Sequence, residues 1–132
     1  SVLAVHPEVL VLDEPVSAMD PDGAKSLYAV LYKIYREYNM TVIVVEHDIN
    51  NLLPYVTHMV IVNQGVIAAQ GPVMEAAEAT YAYPLLRENL PRLWQIKFNL
   101  EQQFGLQLGN WRSESEAQQE LQERFQGGIG KC

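Results

Sequence analysis

The sequence predicts an α/β fold with parallel core strands, a β-hairpin and a helical C-terminal extension. Three observations predict it. Two short, continuously apolar and β-branched runs, VLVL at 9–12 and TVIVV at 41–45, have the composition of strands covered on both faces in a parallel sheet. The segment between them repeats its apolar residues at helical spacing, which completes a βαβ unit. From about residue 84 the strand signals give way to Gln, Glu and Arg, the surface of solvated helices.

In chain order, the first strand runs into Asp13-Glu14-Pro15. Asp20-Pro21 then offers an N-cap followed by proline at the first helical position, and Leu27, Leu31, Ile34 and Tyr38 carry the helix to Asn39. Because βαβ crossovers are right-handed and join parallel strands, this strand and the one at 41–45 end on one edge of the sheet, where open α/β sheets bind ligands. Glu14 and His47 are therefore expected to face a shared crevice. A short helix is expected from Ile49 to about Val56, bent or ended at Pro54. HMVIVNQGVIAAQG reads as two strands, 59–62 and 66–69, joined by the turn pair Gln64-Gly65. From Gly71-Pro72 the chain is expected to be helical with interruptions at Pro84 and Pro91, anchored by Leu93, Trp94, Phe98 and Phe104 ahead of Gly105. Ser113 and Glu116 form a capping box for a last helix carrying Ala117, Leu121 and Phe125. No internal repeat is visible. The change of composition between Met74 and Pro84 divides the chain into a first domain, 1–78, and a helical extension with a flexible end, 79–132.

With 132 residues, 48% hydrophobic and 19% charged, the chain suits one ordinary globular core. Its 9 Lys+Arg against 16 Asp+Glu give a net charge of −7, which argues against nucleic acid or an anionic lipid surface as partner. The single Cys132 forms no internal disulfide, consistent with a reducing compartment. No apolar run approaches the roughly 20 residues of a membrane helix, and SVLAVHPEVL lacks the basic start of a signal peptide.

The chemistry is concentrated in VLVLDEPVSAMD, an apolar strand ending in two adjacent carboxylates. Phosphoryl transfer on a nucleotide needs one carboxylate for Mg²⁺ and a second to polarise the attacking water, both on a rigid mount at the edge of the protein. Taken alone, the same residues also describe a plain solvated strand end.

The order of several pieces favours the first reading. VLVLDEP resembles the Walker B segment of the ATPase subunits of ABC transporters, SAMD (17–20) resembles their D-loop, and VIVVEHD (42–48) resembles their switch-histidine strand. The hairpin VNQGVIAAQGP is similar to the family's pattern after that histidine, so the resemblance covers roughly residues 1–78. It implies a partial P-loop NTPase sheet in which Asp13 binds Mg²⁺, Glu14 orients the hydrolytic water and His47 contacts the γ-phosphate of ATP. Ser17 and Asp20 would belong to the nucleotide-facing D-loop, where Asp20 also meets a second ATPase subunit while capping its own helix. His6 and His58 have no companion ligands nearby and read as ordinary surface or loop residues.

The tail LRENLPRLWQIKFNLEQQFGL resembles the C-terminal extension of the energy-coupling-factor and cobalt or nickel uptake ATPases, and VIVVEHD occurs also in branched-chain amino-acid importers. The resemblance thus implies membrane import, of a metal ion or vitamin in the favoured group. The partners would be the N-terminal part of the ATPase, a second ATPase subunit and a transmembrane transporter subunit, on the cytoplasmic face of the cell membrane.

Several family features are missing. The sequence holds no Gly-rich phosphate loop, Gln loop or LSGGQ-type signature, so it looks like the C-terminal portion of such a subunit, catalytically empty alone. QGGIGKC fails G-x-x-x-x-G-K-[ST] at Phe125 and Cys132 and reads as a flexible terminus. Val16 and Glu46 stand where the family commonly has Thr or Ser. Two other readings remain: a non-catalytic dimerisation or docking module that keeps the cassette fold, and a chromosome-maintenance or repair ATPase head. The negative charge and the short hairpin after the histidine argue against the second.

Overall fold

The computed structural model describes residues 8–128, so the readings of the N-terminal segment, His6 and Cys132 lie outside the described residues. Two compact units divide between Tyr55 and Val56.

In the first unit, β1 (Val9–Asp13), α1 (Pro21–Tyr38) and β2 (Thr41–Val45) form the expected βαβ arrangement. The strands are parallel, with Val9 opposite Thr41 and Asp13 opposite Val45. Asp20 caps α1: its Oδ1 accepts the Gly23 N–H at 2.9 Å. A Cβ on Gly23 would lie 2.8 Å from that oxygen, so any larger residue here would push the capping carboxylate aside. Asn39, with φ 50°, ends the helix in the left-handed conformation that asparagine tolerates.

Leu10, Leu12, Val42 and Val44 are half-buried, while Val9, Val11, Ile43 and Val45 are exposed. This corrects the expectation of strands covered on both faces. Among the described residues each strand pairs only with the other, and Val11 is 61% exposed. The inward stripe of α1 also differs from the expected one, since Ala24, Tyr28 and Leu31 are its buried residues and the terminal Tyr38 is exposed. After β2 the chain makes a 3-10 turn, Asn50–Leu52, shorter than the helix expected from Ile49 to about Val56. Asp48 Oδ1 takes the Asn50 N–H at 3.0 Å, and Pro54 has no N–H to continue a helical ladder.

In the second unit, β3 (His58–Asn63) and β4 (Val66–Pro72) pair antiparallel, each longer than expected, with an irregularity between Ile61 and Val62. Gln64 (φ 51°) and Gly65 (φ 78°) are both left-handed, as a two-residue hairpin turn of the favoured twist requires. α2 (Val73–Tyr81) follows β4 directly and packs on the hairpin. A 3-10 turn (Arg87–Asn89), α3 (Arg92–Phe104) and α4 (Glu114–Gly128) complete the unit.

Its core collects Met59 and Ala69 from the hairpin, Val73, Ala76, Ala77 and Tyr81 from α2, and Trp94 and Phe98 from α3. The Tyr81 and Phe98 rings lie 5.3 Å apart. Trp94 and Trp111 are fully buried, and the Trp94 Nε1–H donates to the Trp111 carbonyl at 2.7 Å. Leu108, Trp111 and Ala117 form a satellite core with Leu93, Leu100, Leu106 and Leu121 packed against it. Two expected anchors do not pack inward: Phe104 and Phe125 are exposed. The stretch between Met74 and Pro84, where the sequence suggested a boundary, lies inside this second unit, because α2 shares its apolar face with the hairpin.

Candidate functional site

β1 brings its chain to the sheet edge and releases it at Glu14. There φ is 47°, and the Glu14 N–H still donates to the Val45 carbonyl at 2.8 Å. A glutamate in the left-handed region is uncommon and costs roughly 1–2 kcal/mol, the kind of backbone strain that concentrates at functional sites. The turn re-aims the chain: the Glu14 carbonyl accepts from Ser17 N at 3.2 Å, and the Val16 carbonyl accepts from Met19 N at 3.0 Å. Asp20 follows as the helix cap.

On the neighbouring strand end, His47 Nδ1 lies 3.0 Å from Glu14 Oε1. The two side chains are 79% and 48% exposed respectively, so the pair sits at the surface. Facing an ionised carboxylate, Nδ1 is the donor of this hydrogen bond, which in the neutral ring leaves Nε2 as an acceptor. Glu14 and His47, expected to share one edge of the sheet, are thus in direct contact there, at the open surface.

The residues flanking His47 are each tied down. The Glu46 carboxylate accepts the Tyr28 hydroxyl at 2.9 Å. Asp48 Oδ1 accepts both the N–H and the Nδ2 of Asn50, at 3.0 and 2.6 Å. Burial, the hydrogen bond to Glu46 and the negative charges of Glu46 and Asp48 all push the Tyr28 hydroxyl above its ordinary pKa, so it stays protonated and a donor. Sequence reading missed Tyr28. The available signal was its place one turn before Leu31, on the stripe that begins at Ala24.

Asp13 occupies the last position of β1 and is exposed, on the face shared with Val9 and Val11. Ser17 lies exposed in the turn, and Asp20 is engaged with Gly23. His58, in the other unit, is exposed with its Nδ1 3.2 Å from Thr57 Oγ1. Among the described residues no group of three or more His, Cys, Asp or Glu side chains could hold a metal ion unaided. One carboxylate such as Asp13 still fits Mg²⁺, which usually takes one or two carboxylates and completes its shell with substrate phosphates and water. Chemically, the arrangement offers a carboxylate able to accept a proton from water beside an imidazole able to exchange one. No described helix is long and apolar enough to cross a membrane.

No family model matches the chain. The energy-coupling factor transporter ATP-binding protein EcfA2 of Bacillus thuringiensis (strain Al Hakam) is 34% identical over 107 residues, which make up 81% of this chain and 36% of that protein. The protein of the same name from Geobacillus kaustophilus (strain HTA426) is 30% identical over 105 residues, 80% of this chain and 36% of the relative. Among solved structures, an ATP-binding cassette of an ABC transporter in its ADP conformation superposes with a TM-score of 0.56 at 24% identity, over 66% of this chain and 34% of that one. That likeness speaks to the fold alone, that of an ATP-binding cassette. The chain spans about a third of the length of the curated relatives it matches. The chain is thus similar in sequence to about a third of the length of these energy-coupling factor transporter ATP-binding proteins and shares the fold of an ABC-transporter ATP-binding cassette.

Proposed function

We propose that this chain supplies the water-activating part of an ATP-hydrolysing subunit that drives import across a membrane, with a metal ion or vitamin as cargo. The observation behind it is the 3.0 Å contact between Glu14 and His47, made across the ends of two parallel strands directly after Asp13. Glu14 holds the attacking water and accepts its proton, since its carboxylate is at the surface and aimed along the sheet edge. His47 orients Glu14 through Nδ1, and its other nitrogen is left for the γ-phosphate. Asp13 is the carboxylate for Mg²⁺, which when bound neutralises charge on the phosphate oxygens. Ser17 and Asp20 line the turn that meets a second ATPase subunit. The remaining two thirds of such a subunit, a second ATPase and a transmembrane partner complete the machine on the cytoplasmic face of the membrane.

The test is made in the full-length subunit that carries this segment. Glu14→Gln should retain ATP binding yet lose hydrolysis by about a hundredfold, the usual cost of roughly 3 kcal/mol for one lost positioning or electrostatic contact. His47→Ala should behave similarly, whereas Asp13→Asn should weaken Mg²⁺-dependent binding itself. Nucleotide titrations and single-turnover rates equal to wild type in all three would overturn the proposal and favour a non-catalytic docking module.

A further inference from the structure

We infer that Tyr28 and Glu46 are positioning residues for His47: the helix tyrosine holds the glutamate toward α1 just past the end of β2, and the bend that follows presents the imidazole to Glu14. This inference rests on the functional reading of His47 given above.

Tyr28 is 2% exposed, and its only outlet is a hydroxyl donating to Glu46 Oε1 at 2.9 Å. Glu46 is the first residue beyond β2. Although β2 ends at Val45 and His47 sits in a bend, the alternation of the strand continues past its end: Glu46 is half-buried against α1 and His47 is exposed. There it meets Glu14 Oε1 at 3.0 Å. On the far side of His47, Asp48 is locked to Asn50 by two hydrogen bonds.

The imidazole itself is 79% exposed, and packing alone does not select one rotamer for a side chain so open to solvent. Its geometry is set instead by the two anchored carboxylates that flank it. The bond from Tyr28 is the stronger kind, a neutral O–H on an ionised acceptor, and burial keeps that phenol protonated. Without the hydroxyl, the half-buried Glu46 carboxylate turns to water and the strand end that carries His47 loosens.

The experiment compares Tyr28→Phe, Glu46→Gln and Glu46→Ala in the full-length subunit. Tyr28→Phe keeps the buried ring and removes one oxygen. It should slow single-turnover hydrolysis by roughly tenfold or more, while the ATP dissociation constant stays within about twofold. Glu46→Gln keeps an amide oxygen to accept the same hydroxyl and should restore most of the rate, whereas Glu46→Ala should match Tyr28→Phe. The double variant Tyr28→Phe/Glu46→Ala should be no slower than either single one, as expected of residues acting in one chain of contacts.

A second readout needs no nucleotide. Long-range ¹H–¹⁵N spectra of the His47 ring should show a single tautomer with Nδ1–H bonded in wild type, and an averaged pattern in Tyr28→Phe. Glu46→Ala provides the same test should Tyr28→Phe fail to fold. Wild-type rates and wild-type His47 spectra in both variants overturn the inference. If His47→Ala is slow while Tyr28→Phe is not, only the positioning role falls. If His47→Ala hydrolyses ATP at the wild-type rate, the functional reading falls and this inference with it.

Discussion

At the scale of single residues, Glu14 combines a positive φ of 47° with a surface carboxylate held 3.0 Å from an imidazole. Its backbone strain and its chemistry pull in different directions, and substitutions separate them. Glu14→Gly relieves the left-handed strain but loosens the unfolded chain, so unfolding free energy should stay level or rise by up to about 1 kcal/mol. Glu14→Val, whose branched side chain suits this region least, should lower it by about 1–2 kcal/mol. Urea titrations of the two variants read the difference directly. Equal stabilities would show that the turn after β1 is not held in this conformation. The identity of Glu14 and its pairing with His47 were legible in the sequence, because strand ends of a βαβ unit share an edge. The positive φ was not, since it answers to the bond from Glu14 N to the Val45 carbonyl, a contact 31 residues away in the chain.

At the scale of elements, α1 depends on the cap that joins it to the site. Asp20→Ala removes the acceptor for Gly23 N and should cost about 1 kcal/mol of stability, while Asp20→Ser keeps a capping oxygen and should cost a few tenths. If Asp20 also serves a subunit interface, Asp20→Ser should still depress hydrolysis in the full-length subunit, which separates the cap from the charge. Gly23→Ala should weaken the same cap, because the new methyl group meets Asp20 Oδ1.

The start of α4 is held in a comparable way. Ser113 Oγ accepts Glu116 N at 3.2 Å, and Glu116 reaches back to Arg112 N at 2.7 Å, one residue before the position a strict capping box would use. One turn on, Glu120 Oε1 accepts from Gly109 N and Trp111 Nε1, both at 2.8 Å, and Oε2 accepts from Arg124 at 2.9 Å. Desolvation alone would raise the Glu120 pKa, but these bonds and the Arg124 charge together hold it below the usual glutamate range. A carboxylate depressed on folding contributes stability above its unfolded pKa and loses it as pH falls through the folded one. The thermal unfolding midpoint should therefore fall progressively below about pH 4.3. Glu120→Gln should be less stable at neutral pH and should show a shallower acid dependence, and an unchanged acid profile would remove Glu120 from the account.

At the scale of the molecule, the sequence contains no G-x-x-x-x-G-K-[ST] loop to cradle β- and γ-phosphates, and the chain matches about a third of its relatives. The 132-residue chain should therefore hydrolyse no ATP above background, although it holds Asp13, Glu14 and His47. Turnover that survives repurification and disappears in Glu14→Gln would contradict this. The same reasoning accounts for Val9, Val11, Ile43 and Val45, a strand face that remains exposed although its residues are those of a core. Their composition fits a face covered by more of a cassette than these two strands provide.

The sequence by itself determined the order of elements, the parallel βαβ unit, the hairpin about Gln64-Gly65, and the placing of Glu14 beside His47. These follow from local periodicity, from turn chemistry and from the handedness of crossovers, all of which are written in neighbouring residues. Only the tertiary structure decided that Tyr28 rather than Tyr38 points inward, that Phe104 and Phe125 stay outside, and that α2 shares a core with the hairpin. It also decided that Glu46, which in sequence is only an acidic residue ahead of a histidine, is bound by a buried phenol from 18 residues away. The physical reason is common to all of these. Which of several apolar or polar groups is desolvated depends on what packs against it, and helical spacing offers more than one inward stripe until a facing surface selects one.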